Sequence, residues 1–350
     1  MSSSGPSAGP HAIATRHGEP GDRVRRLRRA ALLHLDGDLV GAEAAYVALL
    51  GEHPADPAAL NNLGLLRVQR GDPAGALEAF AALGSEDGLS PTALLNKANA
   101  HLALAEPARA VPLLQRAVNL DAESSAWVAL GQAHLMLGDA VAAEAALRQA
   151  HHRLPGRVDV LRTYAACLAA RGELGSAAGL LADAVRIDAN DASSWRQLGA
   201  LLLSLRDLGS AHHATRNALE LEPDHVPTLR QLAVVLLALD RPEESAEALD
   251  HALTLRRDTD LLVDRAVLHL AAGEIASARE LLEDSVADDS SGRAGLYLGY
   301  ALLAAGRPDG ARDQLRRVTG MLEPFAGQAR EALTRVGEQN PDDDDSAGSP

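Results

Sequence analysis

Thirteen histidines, one cysteine and a recurrent arginine are the side chains of this 350-residue chain best suited to chemistry. Histidine can bind a metal or move a proton near neutral pH, so adjacent and regularly spaced ones come first. His151–His152 and His212–His213 are adjacent pairs. On a helix such neighbours point ~100° apart and do not converge on one ion. Cys167 stands alone, which excludes an internal disulfide framework and a cysteine zinc cluster. Phosphate-loop, HExxH, GxSxG and paired-carboxylate patterns are all missing, so neither a cofactor nor intrinsic catalysis is expected. What recurs is arginine: Arg162, Arg196 and Arg230 follow one another at intervals of 34 residues. Its planar fork holds a carboxylate with two parallel hydrogen bonds. Asn61, Asn62, Asn96, Asn99, Gln197 and Gln231 add amides on a related spacing. A side-chain amide can donate to and accept from a peptide backbone at once.

These residues need elements that repeat with the same period. The stretch 124–157 shows what one such element is. Trp127, Leu130, Gly131 and His134 share one face of a first helix, Gly138 breaks it, and Ala143, Leu147 and Ala150 line a second. Pro155 closes the stretch. Gly131 and Ala143 are small because two helix backbones must approach closely, while Trp127, Leu130 and Leu147 fill the space beside them. Gly138 can take the left-handed conformation that ends a helix.

The pattern W-x2-L-G-x2-H-x3-G-x4-A-x3-L-x2-A-x4-P resembles the tetratricopeptide repeat (TPR), with His134 in place of the usual tyrosine. Nine such repeats fit one register. The small residue of the first helix falls at Ala30, Gly64, Ala98, Gly131, Ala165, Gly199, Ala233, Ala266 and Gly299. That of the second falls at Ala42, Ala76, Ala110, Ala143, Ala177, Ala211, Ser245, Ala278 and Ala311. The turn between them carries glycine except at Ala105, Arg206 and Asp240. Arg26, Arg29 and Arg265 interrupt core columns in the first and eighth repeats. His101, His134 and His269 share a packing column, which predicts core or half-buried side chains, and Trp127 and Trp195 are expected as core fillers.

The expected fold is therefore all-α. The resemblance implies a right-handed superhelical α-solenoid of about nine repeats over residues 23–322, with the first helix of each pair lining a concave groove. Asp22 is a candidate N-cap for the first helix, and residues 1–22 read as a disordered Ser/Gly/Pro-rich tail. Pro324 opens a capping helix over 323–339, with Phe325, Ala329, Ala332, Leu333 and Val336 on one stripe. Residues 340–350, with Asp342–Asp345, read as an acidic disordered tail able to fold back as a competitor for the groove.

Counting each first helix from its opening residue, positions 2, 5, 6 and 9 point away from the packed face and toward a ligand. Arg162, Arg196 and Arg230 stand at position 5 of successive repeats, with Asn61 at the same position earlier. Asn62, Asn96, Gln197 and Gln231 stand at position 6 and Asn99 at position 9. Asn62 and Asn96 match the asparagine ladder with which several TPR proteins hold extended peptides. The lysine/asparagine clamp of chaperone-binding TPRs is absent, because position 5 is Asn61 or Leu95 where the clamp wants lysine.

The expected function is a cytoplasmic, non-enzymatic scaffold or adaptor. It would hold a protein or peptide client, one offering carboxylates or phosphates if the arginines form one site. The alternatives are an assembly factor for an envelope or pilus system and a substrate-recruiting accessory subunit of an enzyme. A net charge of −15 argues against a nucleic-acid partner or an anionic membrane. No apolar run reaches the ~20 residues of a membrane span. Lys97 is the only lysine, and with abundant Ala, Gly and Pro this composition points to a high-GC bacterial genome.

Overall fold

The computed structural model describes residues 20–120, 124–321 and 323–338. Among the described residues there are nineteen α-helices, one 3-10 turn (Glu86–Gly88) and no strand. The chain divides into two compact units at Arg171/Gly172. The first contains α1 (Pro20–Leu35), α2 (Leu39–Glu52), α3 (Pro57–Gln69), α4 (Pro73–Ala81), α5 (Pro91–Ala103), α6 (Pro107–Asn119), α7 (Ser124–Met136), α8 (Ala140–Arg153) and α9 (Val158–Ala170). The second contains α10 (Leu174–Ile187), α11 (Ala192–Ser204), α12 (Leu208–Leu221), α13 (Val226–Ala238), α14 (Pro242–Leu255), α15 (Thr259–Ala271), α16 (Ile275–Ser285), α17 (Arg293–Ala304), α18 (Pro308–Thr319) and α19 (Phe325–Glu338). Within each unit a helix packs against the next one or two in sequence, the contact pattern of an α-solenoid.

Local chemistry sets where these helices begin. Asp38, Asp56, Asp72, Asp139, Asp191, Asp207 and Asp258 each cap a helix by accepting the backbone N–H three residues on. Proline occupies the first turn of α3, α4, α5, α6, α13, α14 and α18, where its missing N–H costs nothing. Asp22 is not a cap: α1 starts at Pro20, and Asp22 lies in its first turn, 3.3 Å from Arg25. Residues 1–19 and 339–350, hence most of both tails, lie outside the described residues.

Both small-residue columns are buried in all nine repeats. A Cβ on Gly131 would stand 2.4 Å from Leu147 Cγ, and one on Gly299 2.6 Å from Leu315 Cδ2. The turn column is equally regular. The glycines at 37, 71, 138, 172, 273 and 306 have φ between +69° and +83°, and Ala105, Arg206 and Asp240 take +55°, +62° and +59°. The three departures thus adopt the glycine conformation at the steric cost of a Cβ.

Interruptions of the core columns find ionic partners at the rim. Arg26 pairs with Glu52, Arg265 Nε donates to Asp250 at 2.8 Å, and Arg29 is exposed. Both tryptophans are half-buried rather than enclosed. Arg153 stacks on Trp127 at 5.1 Å, and Trp195 Nε1 donates to the Ala189 carbonyl at 2.9 Å. At the C-terminal end, α19 lays Ala329 and Ala332, with Phe325 and Leu333, over Leu296, Leu315 and Val318.

Candidate functional site

In the first unit, the amides at positions 5 and 6 meet one another. Asn96 Nδ2, on α5, donates to Asn61 Oδ1, on α3, at 3.1 Å. Asn61 Nδ2 in turn approaches Asn62 Oδ1 at 3.5 Å. Asn96 is buried, while Asn61, Asn62 and Asn99 are half-buried. The cluster can still offer lone pairs and N–H groups to a neighbour, because each amide has two donors and two acceptor sites. Arg162, on α9, is half-buried. The carboxylate one turn before it, Asp159, is engaged by Arg157, whose Nε donates at 2.9 Å. Burial pushes the Asp159 carboxyl up, but the hydrogen bonds and charge of Arg157 outweigh this and hold it below its ordinary value.

The second unit fills the same positions with charge. Arg196, on α11, pairs with Glu222 at the end of α12. Gln197 Nε2 approaches Ser193 Oγ at 3.5 Å, within its own helix. Gln231 Nε2 approaches the Arg196 carbonyl at 3.4 Å and Thr215 Oγ1 at 3.3 Å, so this amide ties α13 to α11 and α12. Arg230, on α13, donates from Nε to Asp264 at 2.5 Å and from Nη1 to Asp260 at 3.0 Å. The other oxygen of Asp264 accepts from Arg293 Nη2 at 2.5 Å. Arg293 also lies over the Tyr297 ring, 5.8 Å from its centroid. Burial pushes the Arg230 guanidinium down, yet its bonds to Asp264 and Asp260 more than offset this and raise it above its ordinary value.

The structure therefore joins Asn61, Asn62 and Asn96, joins Gln231 to the backbone of Arg196, and gives Arg196 and Arg230 carboxylate partners. Sequence alone left Arg293 and Asp260, at position 2, and Asp264, at position 6, unassigned. Their opposite charges at neighbouring positions of repeats seven to nine were the available signal.

A second omission concerns the histidine column. His101 Nδ1 lies 2.8 Å from Glu106, His269 Nδ1 2.5 Å from Glu274, and His134 Nδ1 4.0 Å from Asp139. Each carboxylate stands five residues after its histidine, at the mouth of the second helix, and its backbone N–H already bonds the histidine carbonyl. Histidine thus replaces the consensus tyrosine with a side chain that reaches the turn. Among the described residues there is no cluster of histidine, cysteine, aspartate and glutamate able to hold a metal.

A tetratricopeptide-repeat family model matches residues 27–91 and again 95–157, and a second one matches 134–202. The middle TPR-like domain of cilia and flagella-associated protein 70 matches 184–305. The chain is a tetratricopeptide-repeat protein. Among solved structures, one described as the functional characterisation of Pseudomonas aeruginosa pilF aligns with a TM-score of 0.52 at 20% identity. It covers 61% of this chain and 97% of its own. A tetratricopeptide repeat protein from Parabacteroides merdae covers 90% of this chain and 99% of its own, with a TM-score of 0.44 at 16% identity. YrrB, described as a TPR protein with an unusual peptide-binding site, covers 53% of this chain and 96% of its own, with a TM-score of 0.41 at 19% identity. At 20% identity the first of these likenesses shows the fold alone. A comparison with curated proteins gives no match. Among the described residues no helix is long and apolar enough to cross a membrane.

Proposed function

We propose that this TPR protein is a non-enzymatic scaffold that holds a peptide or partner protein against positions 2, 5, 6 and 9 of its first helices. One observation carries the reading. The opposite faces of these helices pack through a buried small-residue column, while Asn61, Arg230 and Asp264 at positions 5 and 6 are held by hydrogen bonds and remain half-exposed. Ordered, partly wet polar groups lose little side-chain entropy on binding, which favours association.

The client's charge follows from the partners of the arginines. A segment rich in carboxylates would have to exchange with Glu222 at Arg196 and with Asp260 and Asp264 at Arg230. Such a client binds by competition, and added salt weakens it. An assembly role in an envelope system or an accessory role beside an enzyme would use the same surface, and nothing in the site's geometry favours either. A cytoplasmic location belongs to the proposal and is supported by the single, buried cysteine.

Affinity capture with the full chain, read by mass spectrometry, tests this proposal. The expected result is a partner retained by the wild-type chain and lost or weakened when Arg162, Arg196 and Arg230 are changed together to Ala. A partner held with unchanged affinity by that variant would move the site away from the arginines. The recovery of no partner under any condition would count against a scaffold.

A further inference from the structure

Between α13, α14 and α15 the second unit holds a cavity of about 190 Å³. Val234, Leu237, Leu249 and Val267 supply its apolar wall, and Arg230, Asp264 and Arg293 its polar rim. The one hydroxyl in the wall, on Ser245, donates to the Ala233 carbonyl at 2.8 Å and so has its proton engaged. Val234 and Leu237 stay 48% and 43% exposed, so the wall runs out to the surface. An apolar cavity of about 150 Å³ accepts benzene, so a leucine-sized side chain fits this one.

The rim decides which side chain enters. Arg230 and Arg293 face Asp260 and Asp264, and the four formal charges cancel. An acidic side chain at the mouth meets the two aspartates, and a basic one meets the two arginines. A neutral side chain meets neither penalty. Within the rim one nitrogen is buried without a hydrogen-bond partner: Arg293 Nη1, which lies 3.5 Å from the nearest Asp260 oxygen. A carbonyl oxygen arriving beside the cavity would supply the missing acceptor.

We propose that this cavity takes a neutral aliphatic side chain from an extended client segment, whose main-chain carbonyl accepts from Arg293 Nη1. The proposal rests on the scaffold reading and adds the client's chemistry: an aliphatic residue in a neutral stretch, in place of an acidic run. Arg230 and Asp260 act here by holding Asp264 and Arg293 in place.

The test uses the full chain with labelled leucine and valine methyl groups, followed by NMR. The probe is N-acetyl-leucine N-methylamide, with the glycine and aspartate analogues beside it. Saturable shifts of the Val234, Leu237 and Val267 methyls are expected with the leucine probe, and about tenfold weaker binding with the other two. Val234→Trp fills the mouth from an exposed position and should abolish the shifts. Arg293→Met should weaken binding about tenfold by removing the donor. Unmoved methyls, equal binding of the aspartate probe, or undiminished binding to Val234→Trp would each overturn the proposal. Partners captured equally by wild type and Val234→Trp would overturn the cavity while leaving the scaffold reading intact.

Discussion

The amides of the first unit and the charges of the second share positions 5 and 6 of the repeat, the charges adding position 2, but they hold themselves together differently. Asn61, Asn62 and Asn96 form a neutral chain of hydrogen bonds reaching from α3 to α5. Arg230, Asp260, Asp264 and Arg293 form an ionic network reaching from α13 to α17. The first should be indifferent to salt, and the second should weaken with it. The repeat dictates where a polar side chain stands, and the neighbouring repeats dictate what it is free to bind. Arginine at position 5 is thus no sign of an open anion site when the next repeat brings aspartate.

The largest expected effect tests what the two units share. Gly131→Leu and Gly299→Leu should each destabilise the fold by about 3 kcal/mol, the upper end for overpacking, since Leu147 and Leu315 are fully buried and have nowhere to go. Chemical denaturation checks this, and stability unchanged in either variant would break the shared register. Next, Asp264→Ala strands two arginines. A loss of about 1–3 kcal/mol is expected, less than for a fully buried pair because Arg230 is partly exposed, and it should shrink in high salt. Asn96→Ala removes one neutral hydrogen bond, for about 1 kcal/mol at any salt concentration. Equal salt responses of these two variants would erase the contrast between the units.

A fourth expectation concerns acid. Burial pushes the Asp56 carboxyl up, but the hydrogen bonds from Arg23 and from the backbone N–H of Ala59 outweigh it and set it below its ordinary value of 3.8. The folded form therefore binds this proton less readily than the unfolded one. Its contribution is present above about pH 4 and is lost as pH falls through the depressed value. Thermal melts of the wild type and of Asp56→Asn should converge in acid. The smallest effect lies in the turns: Arg206→Gly and Ala105→Gly, one in each unit, should stabilise by about 0.5–1 kcal/mol, because both residues are exposed and hold positive φ.

Much of the fold was legible in the residues alone. Seven of the nine first helices, α3, α5, α7, α9, α11, α13 and α15, begin at the first position of the repeat grid, and α1 and α17 start at Pro20 and Arg293 instead of 23 and 292. Even the turns that lack glycine were placed correctly, because their neighbours fix the register and the backbone follows.

The sequence by itself determined the helix pairs, the two small-residue columns and the left-handed turns. These are local or nearest-neighbour demands, and each leaves its mark in a residue type: a small side chain where backbones approach, a glycine where φ is positive, an aspartate where N–H groups need an acceptor. Tertiary structure alone decided the partners of the polar residues. Arg230 reaches Asp264, 34 residues on, Gln231 reaches the Arg196 carbonyl, 35 residues back, and His101 turns to Glu106. A long polar side chain has several neighbours within reach, and its choice depends on their charge, their burial and the space between helices. None of these is written at the position of the residue itself.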